Sequence, residues 1–173
     1  MHIISSNRLI LRLFNTSDAA FVLELLNDPG WIKNIGDRGI RNLDQARDWI
    51  LTKPLESQSR CGFSFYVVVL KDTQTAIGIC GLIKREMLQN VDIGYAFLPQ
   101  YGGQGYAIEA ARATMQHARQ DLGLSQLAAI TSPGNVKSNS LLKKLGFTLE
   151  EVLVLPGEER ETNLYAYRFP LQE

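Results

Sequence analysis

Along the first sixty residues the apolar positions shift from alternation to helical spacing. Residues 8–13, Arg-Leu-Ile-Leu-Arg-Leu, have strand character. Ala19, Val22, Leu23 and Leu26 then fall three and four apart, which predicts a helix from a cap at Asp18 to about Asn27. Asp28-Pro29-Gly30 should stop it. Residues 31–42 mix glycine, aromatic and charged side chains without a period, as in a structured loop or a short helix. Asp44 is expected to cap a second helix carrying Ala46, Trp49 and Ile50, with Pro54 at its end.

The period then changes. The stretch 63–70 predicts a strand, Lys71-Asp72-Thr73 a turn, 75–83 a returning strand and 91–98 a third, ended by Pro99. Strands spaced this closely favour an antiparallel meander. A glycine-rich turn follows and feeds a long helix ending near Leu122-Gly123, with Ala107, Ala111, Met115, Ala118 and Leu122 on one face. Residues 127–131 form a short strand, Pro133-Gly134 a turn, and Asn135 opens a helix that ends at Leu145-Gly146, where glycine suits a left-handed cap. Two last strands are expected over 148–155 and 162–169, joined by a charged connection starting at Pro156-Gly157. The order βααβββαβαββ predicts one α/β (α+β) domain spanning 1–173, with a mixed, mostly antiparallel sheet flanked by helices. The polar end Gln172-Glu173 is expected to fray.

Composition narrows the function without naming it. A chain of 173 residues can build its own core and needs no disulfide or metal staple. Eighteen basic residues balance eighteen acidic ones, so no global field draws the protein to nucleic acid or to an anionic membrane. Cys61 and Cys80, expected as buried thiols beside or within strands, cannot assemble a zinc site with His2 and His117, so no metal is expected. The N-terminus meets Arg8 and Arg12 before any signal-like apolar stretch, and the longest apolar run is too short for a bilayer. A cytoplasmic location is the corresponding expectation.

The strongest local chemistry lies in Leu98-Pro99-Gln100-Tyr101-Gly102-Gly103-Gln104-Gly105-Tyr106-Ala107. Gly103 and Gly105 permit a tight turn with exposed N–H groups, and the helix that follows adds unpaired donors and a favourable dipole. A phosphate or pyrophosphate suits that arrangement, and small Ala107 lets it come close. A plain strand-to-helix connection would also use these glycines. A nucleotide P-loop fits less well, because Tyr106-Ala107 stand where lysine and Ser/Thr belong. A dinucleotide fold fits less well too, because Asp121 falls near a helix end and not on a strand. The second constellation is Asn135-Val136-Lys137-Ser138, where Asn135 can cap a helix and Ser138 sits in its first turn with a hydroxyl able to donate. Lys137 or Lys143 could meet an outlying phosphate; simple capping with solvated lysines is the plainer alternative.

Taken together, these segments resemble the GNAT superfamily of acyl-CoA-dependent N-acyltransferases. The finer likeness is to its Rim-type (RimJ/RimL-like) branch of ribosomal-protein N-terminal acetyltransferases. The resemblance rests on Asp92-Ile93-Gly94-Tyr95, Pro99 and the stretch 101–110, then on Pro133 to Ser138 with Leu142-Lys143-Lys144-Leu145-Gly146-Phe147, and on Asn7 to Arg12 near the start. It covers nearly the whole chain. It implies a splayed central sheet with acetyl-CoA as co-substrate between the strands ending near Leu98 and Thr131. Phe97 and Leu98 would pair with the pantetheine arm. Gly102, Gly103, Gln104, Gly105, Tyr106 and Ala107 would form the pyrophosphate turn. Asn135 would hold the arm, Lys143 would contribute to the cofactor site, and Ser138 would protonate the departing thiolate. Gly102 stands where the superfamily often has arginine or glutamine, and the superfamily's frequent tyrosine acid is absent after Asn135.

The implied reaction is direct transfer of acetyl to a primary amine, from a peptide N-terminus or a small molecule. Trp31, Arg38, Tyr66 and Tyr95 are the acceptor-pocket candidates. Asp92, Glu86 and Glu150 are candidate general bases, each read more simply as a surface residue, and the base stays unassigned. The protein is expected to act as a monomer or homodimer, without nucleic-acid or membrane partners. The competing class is a non-catalytic acyl-CoA-binding sensor, against which an intact Ser138 speaks.

Overall fold

Ile4, Leu9 and Leu11 are buried while their neighbours are more open, and the N-terminus folds into a hairpin. In the computed structural model, which describes residues 2–171, β1 (His2–Ser5) lies antiparallel to β2 (Leu9–Arg12). The strand expected over 8–13 thus gains a partner the pattern did not indicate. The fraying expected at Gln172 and Glu173 lies outside the described residues.

Four helices follow, where two were expected with a structured loop or a short helix between them: α1 (Ala19–Leu26), α2 (Pro29–Asn34), α3 (Leu43–Thr52) and α4 (Pro54–Cys61). The apparent stop at Asp28-Pro29-Gly30 is a restart. The Asp28 carboxylate accepts from the N–H groups of Gly30 and Trp31, and Pro29 occupies the first helical position, where no N–H is needed. Pro54 likewise starts α4 instead of ending α3. Asn42, not Asp44, caps α3. Asn15 caps the short turn ahead of α1. Asp18 gives α1 no side-chain cap; its carboxylate accepts from the Asn15 N–H at 2.9 Å, completing a capping box, and forms a two-pronged ion pair with Arg12 at 2.9 and 2.7 Å. Cys61 corrects its expectation: it is the half-buried last residue of a helix, whereas Cys80 is fully buried in a strand.

The meander is β3 (Phe65–Leu70), β4 (Ala76–Ile83) and β5 (Asp92–Phe97). Then come α5 (Tyr106–Gln120), β6 (Gln126–Thr131), α6 (Val136–Lys144), β7 (Thr148–Val154) and β8 (Glu161–Arg168). One eight-stranded sheet results, in the order β1-β2-β3-β4-β5-β6-β8-β7. Every neighbouring pair is antiparallel except β5 and β6. The mixed, mostly antiparallel sheet flanked by helices is the architecture the pattern predicted.

Alternation along the strands sends side chains to two separate cores. Val67, Val69 and Ile79 pack with Val22, Leu25, Leu26, Ala46 and Ile50 from α1 and α3. On the opposite face Tyr66, Val68 and Cys80 meet Ala110, while Leu82, Ile93, Leu127 and Ala129 meet Ala111, Met115 and Ala118 of α5 and Leu142 of α6. The alanines of α5 let it lie close to the strands. Each fully buried Leu, Ile or Val contributes roughly 1.5–3 kcal/mol, which suffices to seat α5 and α6 on one face and α1 to α3 on the other. No helix among the described residues is long and apolar enough to cross a membrane.

Candidate active site

The parallel strands β5 and β6 share one register pair, Asp92 with Ala128, joined through the Ala128 N–H to the Val91 carbonyl at 2.8 Å. Beyond it they share no further paired residue. β5 runs on to Phe97 and β6 to Thr131, so the sheet opens as a V towards their C-terminal ends. Two features the sequence singled out sit at the two tips.

At the tip of β5, Leu98 is still tied to β4 by its N–H to the Ile77 carbonyl, 2.9 Å. Pro99–Tyr101 make a single 3-10 turn and the glycines follow. Gly103 and Gly105 have φ of +74° and +81°, the left-handed region that favours glycine. Gly102 is extended, with φ −69°. Gly105 is the N-cap of α5 and has no side-chain cap, so the first N–H groups of that 15-residue helix face outward beside an exposed turn. This is a ready anion seat.

The turn is braced by a residue that sequence reasoning left without a role. Arg8, just before β2, donates from Nη1 to the Gln104 carbonyl at 2.9 Å and from Nε to Glu109 Oε1 at 2.7 Å. Its guanidinium lies 4.3 Å from the centre of the Tyr106 ring. Glu109 also accepts from Ser6 Oγ and from the Arg8 N–H, at 2.6 and 2.8 Å. Partial burial pushes the Glu109 carboxyl up, but those hydrogen bonds outweigh it and hold its pKa below the usual range. An arginine therefore does sit on the glycine turn, although Gly102 occupies the position where the sequence lacked one.

At the tip of β6, Asn135 caps α6 by accepting from the Ser138 N–H, 3.3 Å. Ser138 Oγ lies 2.8 Å from the Tyr95 hydroxyl, which reaches across from β5. Burial pushes the Tyr95 phenol up to about 12 against the opposing hydrogen bond with Ser138. One residue on, Asn139 ties α6 to the strands. Its Oδ1 accepts from Thr131 Oγ1 at 2.5 Å, Tyr165 OH at 3.0 Å and Asn163 Nδ2 at 3.3 Å. Its Nδ2 donates to the Pro133 carbonyl at 3.1 Å. Asn139 was missed, yet its spacing of four from the capping Asn135 was a usable sign of an inward polar position.

The remaining residues separate. Trp31 lies on α2, buried, with its indole N–H unpartnered. α2 is held across the open side of the V: the Asn34 carbonyl accepts from Ser132 Oγ at 2.9 Å and the Lys33 carbonyl from Arg160 Nη1 at 3.2 Å. Arg38 is exposed on the loop after α2. Tyr66 is fully buried on the α5 face, its ring 6.2 Å from that of His117, and touches no open surface. Lys143 is exposed in the last turn of α6, about 12 Å along the axis from Asn135. Asp92 is buried at the closed vertex of the V, about 10 Å along β5 from Tyr95, against Arg85 at 3.3 Å. Burial pushes its carboxyl up to about 6, with Arg85 opposing. Glu86 and Glu150 are exposed. Among the described residues no group of three or more His, Cys, Asp or Glu side chains could hold a metal.

Comparison with known proteins bears on this geometry. The family model described as the acetyltransferase (GNAT) domain matches residues 8–148, from the bracing arginine to the first residue of β7. The uncharacterized N-acetyltransferase YoaA of Bacillus subtilis (strain 168) is 28% identical over 169 residues, covering 95% of each chain. An acetyltransferase of the GNAT family from Bacillus anthracis is 25% identical with a TM-score of 0.78, covering 97% of this chain and 98% of the other. The fold is also that of RimL, a ribosomal L7/L12 alpha-N-protein acetyltransferase solved with coenzyme A. There the TM-score is 0.82 at 20% identity, over 97% and 98% of the two chains.

Proposed function

Because the chain belongs to the GNAT acetyltransferase family, we propose that it transfers an acetyl group from acetyl-CoA to a primary amine, on a peptide N-terminus or a small molecule. The observation that carries this reading is the V between β5 and β6, with an anion-ready turn at one tip and the Asn135–Ser138 turn at the other. Phe97 and Leu98 offer strand backbone to the pantetheine arm. The turn from Gly102 to Ala107, stiffened by Arg8, takes the pyrophosphate on N–H groups. Asn135 holds the arm from the other side. Lys143, exposed in the last turn of α6, is the candidate to meet an outlying phosphate of the cofactor.

The chemistry is a direct displacement. A neutral amine attacks the thioester carbonyl, the C–N bond forms and the C–S bond breaks with its electron pair on sulfur. Ser138 gives its proton to that thiolate and regains one from water, while the new ammonium group loses a proton to water. An α-amine, with a reference pKa near 8, is neutral far more often at pH 7 than a lysine amine near 10.4. That preference and the Rim-type likeness of the sequence favour a terminal amine. The balanced charge disfavours a nucleic-acid acceptor.

The test is an acetyl-CoA-dependent screen of peptide termini, polyamines, amino sugars and amino acids, read by product mass alongside CoA release. An acetylated terminal peptide or small amine is expected, with kcat lowered about a hundredfold or more in Ser138→Ala. Binding of acetyl-CoA with no amine consumed would leave the sensor reading standing. Acetylation confined to internal lysines would overturn the acceptor class.

A further inference from the structure

Tyr95 and Ser138 stand on opposite arms of the V, and their hydroxyls meet at 2.8 Å. The phenol oxygen is also 3.4 Å from the Ser138 carbonyl oxygen. The Ser138 N–H is committed to Asn135 Oδ1. Serine is therefore gripped at its amide and its hydroxyl, and the remaining freedom is where its hydroxyl hydrogen points.

Three considerations favour one direction for the shared hydrogen bond. The Ser138 carbonyl oxygen, which only accepts, competes for the single phenol hydrogen from 3.4 Å, whereas Ser138 Oγ is closer at 2.8 Å. A phenol oxygen spreads its lone pair into the ring and accepts poorly, whereas an alkyl hydroxyl oxygen accepts well. Burial keeps the Tyr95 phenol protonated throughout the neutral range, so the donor hydrogen is always present. Either hydroxyl can donate across this 2.8 Å contact, and these considerations favour Tyr95 O–H as the donor to Ser138 Oγ.

On the reading of Ser138 as the proton donor, we infer that Tyr95 is its positioning residue, holding the serine oxygen so that the serine's own hydrogen points into the cleft. An accepted hydrogen bond also polarises the serine O–H and makes it a better donor. Tyr95 keeps its own proton throughout and does not touch the sulfur. This differs from an acceptor-pocket role, in which the Tyr95 hydroxyl would face the amine.

The experiment is a double-mutant cycle of Tyr95→Phe and Ser138→Ala, with the amine turned over fastest in the screen. Thermal melting of each variant establishes that it is folded; Tyr95→Phe removes a single oxygen and leaves the ring packed. Positioning predicts that Tyr95→Phe lowers kcat about three- to tenfold, with KM for acetyl-CoA and for the amine changed less than twofold. In the Ser138→Ala background Tyr95→Phe should change nothing further, since there is no hydroxyl left to orient. A kcat unaltered by Tyr95→Phe, or an equal loss in both backgrounds, would overturn the positioning role while Ser138 stands. A rise in amine KM with kcat unchanged would return Tyr95 to the acceptor pocket. A wild-type kcat in Ser138→Ala would overturn the proton-donor reading and this inference with it.

Discussion

Replacing Gly105 with alanine would insert a Cβ at the point where the glycine turn, the start of α5 and the Arg8 brace converge. Gly105 has φ +81°, and an L-residue held in the left-handed region costs about 1–2 kcal/mol. The new Cβ would lie 3.3 Å from Arg8 Nη2, closer than an ordinary contact, so the guanidinium must yield by a few tenths of an ångström. That loosens its hydrogen bond to the Gln104 carbonyl, a contact contributing about 0.5–1.5 kcal/mol. The two effects total about 2 kcal/mol. If the turn relaxes and acetyl-CoA has to restore it, Kd rises about 30-fold. Gly157, in the connection between β7 and β8, has φ +82° and open space around its Cβ position. Gly157→Ala should therefore lower stability by a similar backbone term while leaving Kd unchanged. Calorimetric titration with CoA, paired with urea unfolding of both variants, separates the two effects. A folded Gly105→Ala protein that binds CoA within twofold of wild type and shows no matching loss of stability would refute this account of the turn.

Two further outcomes concern parts of the fold that flank the cleft. The Asp92 carboxyl, pushed up by burial from 3.8 to about 6, binds its proton more tightly in the folded state. Its charging therefore lowers stability as pH rises from about 4 through about 6, by up to about 3 kcal/mol relative to Asp92→Asn. A stability difference that stays flat across that window, by urea unfolding, would contradict this. Asn139→Ala strips the common acceptor from the Thr131, Asn163 and Tyr165 donors. Unfolding free energy should fall by about 2–4 kcal/mol, and a loss below about 1 kcal/mol would show that water substitutes freely for Asn139.

Local rules carried much of this protein. The alternation over the meander, the three- and four-residue spacing of alanines and Met115, and the glycine after Leu145 each depend on a few neighbouring positions. They placed β3 to β8, α5 and α6 within a residue or two. The glycine turn and the Asn135 cap were legible for the same reason, because φ > 0 and helix capping are properties of short segments. The N-terminal third was less legible because its signals are ambiguous locally. Asp28-Pro29-Gly30 and Pro54 satisfy the rule for ending a helix and the rule for starting one, and only packing of α2 and α4 decided between them.

What the tertiary structure alone decided are the contacts between residues with no sequence relation. Arg8 and Glu109 are 101 positions apart, Tyr95 and Ser138 are 43 apart, and Asn34 and Ser132 are 98 apart. No periodicity links such pairs, since their approach depends on how β5 and β6 diverge and on which face receives α5. Tyr66 and Tyr95 illustrate the limit. Both are strand tyrosines pointing to the same face, and both pair with Cys80 across β4. Tyr66 sits in the middle of the sheet, where α5 covers it. Tyr95 sits on the strand beside the V, where its hydroxyl finds Ser138 instead of the core. Sequence supplied the residue types and the turns. Position relative to the opening between β5 and β6 decided which of them face the cleft, because an open strand edge is a property of the whole sheet and of no single segment.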